Sequence, residues 1–80
     1  MKEFHIAIRS FAEAREFVGV AAVQPFRVLV GNDAQLVDAK GFIGMASLDC
    51  RKPLKVLCDS DNEGFLAFRE QAGRFLIPNV

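Results

Sequence analysis

Few side chains in this 80-residue sequence could do chemistry: one histidine, His5, two cysteines, Cys50 and Cys58, and the serines Ser10 and Ser60, each followed three residues later by a glutamate. His5 lies in Phe4-His5-Ile6-Ala7-Ile8, where period-two alternation turns it away from the side taken by Phe4, Ile6 and Ile8. With no Cys, Asp or second His at ligand spacing, it reads as a residue on the wet face of a strand. A Ser-His-Asp triad assembles from distant positions, but one histidine without a nucleophile-elbow pattern gives that chemistry no support. The glycines form neither a GxGxxG nor a Walker pattern, so no nucleotide cofactor is expected. The two cysteines are too few and too far apart for a structural zinc site, and no metal is expected. One disulfide between them is possible on paper, but a cytosolic chain keeps both as thiols. Cys58 reads as a small core hydrophobe. Cys50 reads first as an ordinary loop cysteine; the alternative is a reactive thiol whose pKa the neighbouring Arg51 and Lys52 lower.

Composition excludes several classes of function. Ten Lys+Arg against ten Asp+Glu leave no net charge, which argues against a nucleic-acid module with its basic excess. The longest apolar run, from Phe17 to Val23, is interrupted by Gly19 and falls far short of the roughly 20 residues of a membrane helix. The opening Met1-Lys2-Glu3-Phe4 lacks the apolar region of a secretory signal, so a cytoplasmic location is expected. With 51% hydrophobic residues and no internal repeat or linker, residues 1–80 read as a single folded domain. All the aromatic mass is in eight phenylalanines, which suit a dry core.

The elements that must position these residues follow from periodicity. Phe4 to Ile8 is a first strand. Ser10 and Glu13 fit a capping box, and behind it Phe11, Ala14, Phe17, Val18 and Ala21 fall on one helical stripe, with Glu13, Arg15 and Glu16 outside. Pro25 ends that helix. Phe26 to Val30 is a second strand, and Gly31-Asn32-Asp33-Ala34 turns the chain into a third, Gln35 to Ala39, forming a hairpin. A short helix follows Gly41, over Phe42 to Leu48. Pro53 precedes a fourth strand, Leu54 to Cys58. Ser60 and Glu63 form a second capping box, before a helix whose buried stripe is Phe65, Phe68, Ala72, Phe75 and Leu76. The order βαββαβα predicts an α+β open-faced sandwich, with a four-stranded antiparallel sheet and three helices on one face. A ferredoxin-like domain is the alternative, disfavoured by the short middle helix and the extra last one.

With this order in place, the sequence resembles the histidine-containing phosphocarrier family, HPr, of the bacterial sugar phosphotransferase system. Phe17 to Val30 resembles that family's first helix running into its second strand, and Asp38-Ala39-Lys40-Gly41-Phe42 its entry to the short second helix. The resemblance extends over essentially the whole chain and implies the same open-faced sandwich. In the family, a Gly-Leu-His-Thr-Arg-Pro-like segment precedes the first helix; its His takes a phosphoryl group from enzyme I and passes it on, and its Arg helps hold the phosphate. Aligned back from the helix, Ser10 falls at that His, Ala12 at the Arg and Glu13 at the Pro, and the preceding loop is several residues shorter. The family's regulatory serine falls on Gly41. A phosphorelay needs a labile phosphoramidate, whereas a serine phosphate ester is far more stable. The resemblance therefore implies a family member that is not a competent phosphocarrier and not an enzyme.

Three roles follow as expectations. The first is a small protein-binding or regulatory module, meeting phosphotransferase-system or regulatory proteins through the first and second helices, the surface the family uses. The second is a phosphotransfer-linked protein modified at Ser10, with Arg9 and Arg15 flanking the cap as candidate anion ligands. The third is a homodimer through the open sheet face, where the strand order implied by the resemblance places Leu29, Leu36 and Leu57 on three neighbouring strands that no helix covers.

Overall fold

The structure, a computed structural model, describes residues 1–77. The chain runs β1 (Lys2–Ile6), α1 (Phe11–Ala22), β2 (Val28–Gly31), β3 (Leu36–Asp38), α2 (Phe42–Ala46), β4 (Leu54–Cys58) and α3 (Asn62–Gln71), then a 3-10 turn over Gly73–Phe75. The strands form one antiparallel sheet in the order β1-β4-β2-β3. Antiparallel pairing lets β2 and β3 join by a short turn, while β1 and β4 come together only through the intervening chain.

Strand alternation sets which side of the sheet is dry. Phe4, Ile6, Val28, Val30, Leu54, Val56 and Cys58 are buried on the helical side, together with Ala14, Phe17 and Ala21 of α1, Met45 of α2 and Phe68 of α3. Phenylalanine rings carry the contact between layers. Phe68 meets Phe4, Phe17 and Phe26 with ring centroids 5.4, 6.1 and 5.9 Å apart, and Phe17 meets Phe75 edge-on at 5.7 Å. Each fully buried ring contributes about 1.5–3 kcal/mol through area alone, with a further increment from tilted and edge-on geometry.

Two loops have evident causes. At the hairpin, Asn32 Oδ1 accepts the N–H groups of Ala34 and Gln35 at 2.9 and 3.0 Å. A Cβ on Gly31 would stand 1.9 Å from the Gln35 carbonyl oxygen, so only glycine admits this close approach. Where α1 ends, the buried Gln24 amide donates to the Val20 carbonyl and to Gln71 Oε1, and Lys40 Nζ donates to the Gln24 carbonyl at 2.8 Å. The Gln24 side chain thereby ties α1 to α3, and its backbone carbonyl ties the same point to the entry of α2.

Several expectations are corrected. The last helical stripe does not continue as one helix: α3 ends at Gln71 and the chain tightens into the 3-10 turn, which still buries Phe75. From there the chain runs along the free edge of β1, with the Ala7 N–H donating to Phe75 O at 2.9 Å and the Ile77 N–H to His5 O at 3.1 Å. That tail covers an otherwise unpaired strand edge. The cap of α3 is Asp61, not Ser60: Asp61 Oδ1 accepts the Gly64 N–H at 2.8 Å, while Ser60 donates to the Asp61 carbonyl. Aspartate caps as well as serine, and with Gly64 at the third helical position no carboxylate reaches back, so the expected capping box is replaced by a single cap one residue later.

Candidate functional site

The head of α1 is built around Ser10. Its backbone is extended, at φ −158° and ψ 166°, and its Oγ accepts the Glu13 N–H at 3.1 Å. The Glu13 carboxylate turns back past the cap to accept the Arg9 N–H at 2.8 Å, one residue earlier than in the standard box. Glu13 thus places a negative charge at the positive end of the helix dipole. Its side chain is mostly covered, unlike the outward position that periodicity predicts, because cations approach from two sides. Arg9 lies 3.9 Å away and Arg74, from the 3-10 turn, 4.0 Å. Arg74 also pairs with Glu16 and stacks its guanidinium 5.1 Å from the Phe75 ring centre. Sequence periodicity gave no sign of this link between α1 and the chain end.

Phe11 is the main departure. The apolar stripe predicts it inside, yet it is 73% exposed. It is the first residue of α1. Its ring instead meets Phe42 of α2 at 6.1 Å. Ile43, one residue on, is 86% exposed. With Met45 turned into the core, a residue two places earlier lies about 200° around the helix, which is the signal that could have marked Ile43 as an outward residue. Gly41 is the N-cap of α2 and offers no side-chain cap.

The remaining candidates lie apart. Ala12 and Arg15 are exposed on α1. His5 sits on β1 opposite Lys55, on the sheet face away from the helices. On that face Leu57 and Leu29 are direct cross-strand partners, flanked by Glu3 and Asp38, and both are half-buried. Leu36 stands opposite Gly31, diagonal to Leu29, and is exposed.

At Cys50 the structure runs against the alternative of an activated thiol. Arg51 does not act on the thiol; it grips Asp49 through two hydrogen bonds of 2.9 and 3.1 Å. Partial burial, then the Asp49 charge, raise the Cys50 thiol above its ordinary range. Burial pushes Cys58 up to about 11. Both cysteines are free thiols. Among the described residues no group of three or more His, Cys, Asp or Glu is placed to hold a metal, and no helix is long and apolar enough to cross a membrane.

The chain is similar to the crystal structure of HPr-C-His from Thermoanaerobacter tengcongensis, with a TM-score of 0.70 and 26% identity, over 88% of this chain and 89% of that one. The fold is HPr-like. No protein-family model matches the chain, and no curated protein matches it. In the HPr-like frame the sheet is open on one side, α1 and α2 lie together, and the cap at Ser10 adjoins the exposed Phe11, whose ring meets Phe42.

Proposed function

We propose that this chain is an HPr-like protein of the phosphotransferase-system family that does not carry a phosphoryl group and acts by contact with protein partners. One observation carries the reading: Ser10, aligned with the family's carrier histidine, is engaged as the N-cap of α1, with Glu13 folded over it. The only histidine, His5, lies on the opposite face of the sheet from the helices, so no imidazole stands at the head of α1. A helix N-terminus favours an anion, but here the protein's own carboxylate fills that role. The partner surface is the start of α1 with α2, where Phe11, Phe42 and Ile43 give apolar contact. Phosphotransferase-system or regulatory proteins are the expected partners.

The test is intact-mass spectrometry after incubation with phosphoenolpyruvate and enzyme I, with a general HPr as positive control. No added mass, with the control labelled, is the expected result. An acid-labile phosphate overturns the reading. An acid-stable phosphate mapped to Ser10 favours regulation by modification, which the exposure of Ser10 permits.

A second reading, association of two copies through the open sheet face, draws on the Leu29–Leu57 pair. A mass by light scattering that rises with concentration, and returns to the monomer in Leu29→Asp with Leu57→Asp, favours it. An unchanged monomer mass in the parent chain removes it.

A further inference from the structure

A cleft of about 410 Å3 opens between the head of α1, α2 and the loop that follows α2. Ile8, Phe11, Met45 and Leu48 supply its apolar wall, and Arg9, Ser10 and Arg51 its polar rim. No aspartate or glutamate lines it. The volume lies in the range of small-ligand sites, which typically combine an apolar body with a few polar groups at one side.

The two arginines are not equivalent. Arg51 is held by both carboxylate oxygens of Asp49. Arg9 makes one long contact, 3.9 Å to Glu13, and its side chain is 65% exposed, so its guanidinium can take a second anion. The Ser10 oxygen accepts the Glu13 N–H, which leaves its own O–H free to donate. A cation and a hydroxyl donor therefore stand at one end of an apolar cleft.

We propose that this cleft binds a small amphipathic carboxylate, with the hydrocarbon chain along the apolar wall and the head group on Arg9 and the Ser10 hydroxyl. The inference stands on the lining of the cleft and does not depend on the choice of protein partner. A charge-assisted hydrogen bond is roughly twice as strong as a neutral one, so an acid should bind about tenfold more tightly than the alcohol of equal chain length.

Cys50 also lines the cleft and gives the readout, while Cys58 is fully buried. The experiment measures the rate of maleimide addition to Cys50 by intact mass, with octanoate, octan-1-ol or octylammonium present. The methyl resonance of Met45 is followed in parallel, so that a slow thiol does not hide binding. The expected result is saturable protection and a Met45 shift with octanoate, at about one tenth the concentration that octan-1-ol requires, and neither with octylammonium. Arg9→Gln should remove the advantage of the acid, and Ala46→Phe, at an exposed position on the cleft, should remove binding of both. Absence of both protection and shift with octanoate overturns the proposal. So does equal binding of all three probes, which would report unselective partition onto apolar surface.

Discussion

The Ser10 oxygen accepts the backbone N–H of Glu13 at 3.1 Å, and the Glu13 carboxylate accepts the Arg9 N–H at 2.8 Å. Two donors at the head of α1 are thus satisfied by a pair of side chains three residues apart. Of this pair, Ser10 is the residue that the resemblance to HPr aligns with a phosphoryl carrier, so the proposed loss of carrier function rests on the residue that forms the cap.

Ser10→Ala should lower stability by about 1 kcal/mol, because an exposed helix end loses its best acceptor. Ser10→Asp should lose little, since aspartate is as good a cap. Urea unfolding of the two variants checks this; an alanine variant as stable as the parent would show that the cap has no energetic role.

Phe17 and Phe11 lie six residues apart on one helix and should respond oppositely. Phe17 is fully buried between Phe68 and Phe75, and Phe17→Ala should cost about 3–5 kcal/mol. Phe11→Ala should change stability by less than about 0.5 kcal/mol while weakening any partner held at the start of α1. A large loss of stability in Phe11→Ala would restore the inward position that periodicity suggests.

Gly31→Ala should destabilise by about 1–3 kcal/mol, since the added methyl meets the Gln35 carbonyl and the hairpin must open. Amide chemical shifts should move most at Asn32 to Leu36. A shift pattern confined to Gly31 itself would mean that the loop absorbs the methyl.

Acid should reveal the Asp49–Arg51 pair. The arginine hydrogen bonds lower the Asp49 pKa from its ordinary 3.8 to about 2. A depressed folded-state pKa gives stability that is present above the unfolded value and lost as pH falls through the folded one. The pair lies at the surface, so the effect is small. Nuclear magnetic resonance titration of the Asp49 carboxyl should place its midpoint near the lower value, and Arg51→Gln should move it back up.

Much of the fold was legible in the residues. Period-two burial of Phe4, Ile6 and Ile8 and of Leu54, Val56 and Cys58 followed from alternation, because a strand side chain has only two sides to take. The cap at Ser10 and the close turn at Gly31 and Asn32 were equally local, each requiring bonds within four residues. Less was legible at the candidate site. Phe11 fits the helical stripe by angle, but periodicity says nothing of whether a sheet lies beneath that turn. The activated-thiol alternative at Cys50 stood open in the sequence because spacing shows Arg51 and Lys52 beside the thiol but not that Asp49 holds Arg51.

The sequence by itself determined which faces are apolar, where helices and turns begin, and which side chain caps α1, since these depend on dihedral preferences and hydrogen bonds spanning a few residues. Only the tertiary structure decided that Arg74 reaches Glu13 and Glu16, that Gln24 joins α1 to Gln71 and Lys40, and that Arg9, Phe11 and Cys50 surround one cleft. Those contacts join residues between 16 and 61 positions apart in the chain. No local propensity encodes them, and they form only when the packed phenylalanines bring the helices together on the sheet.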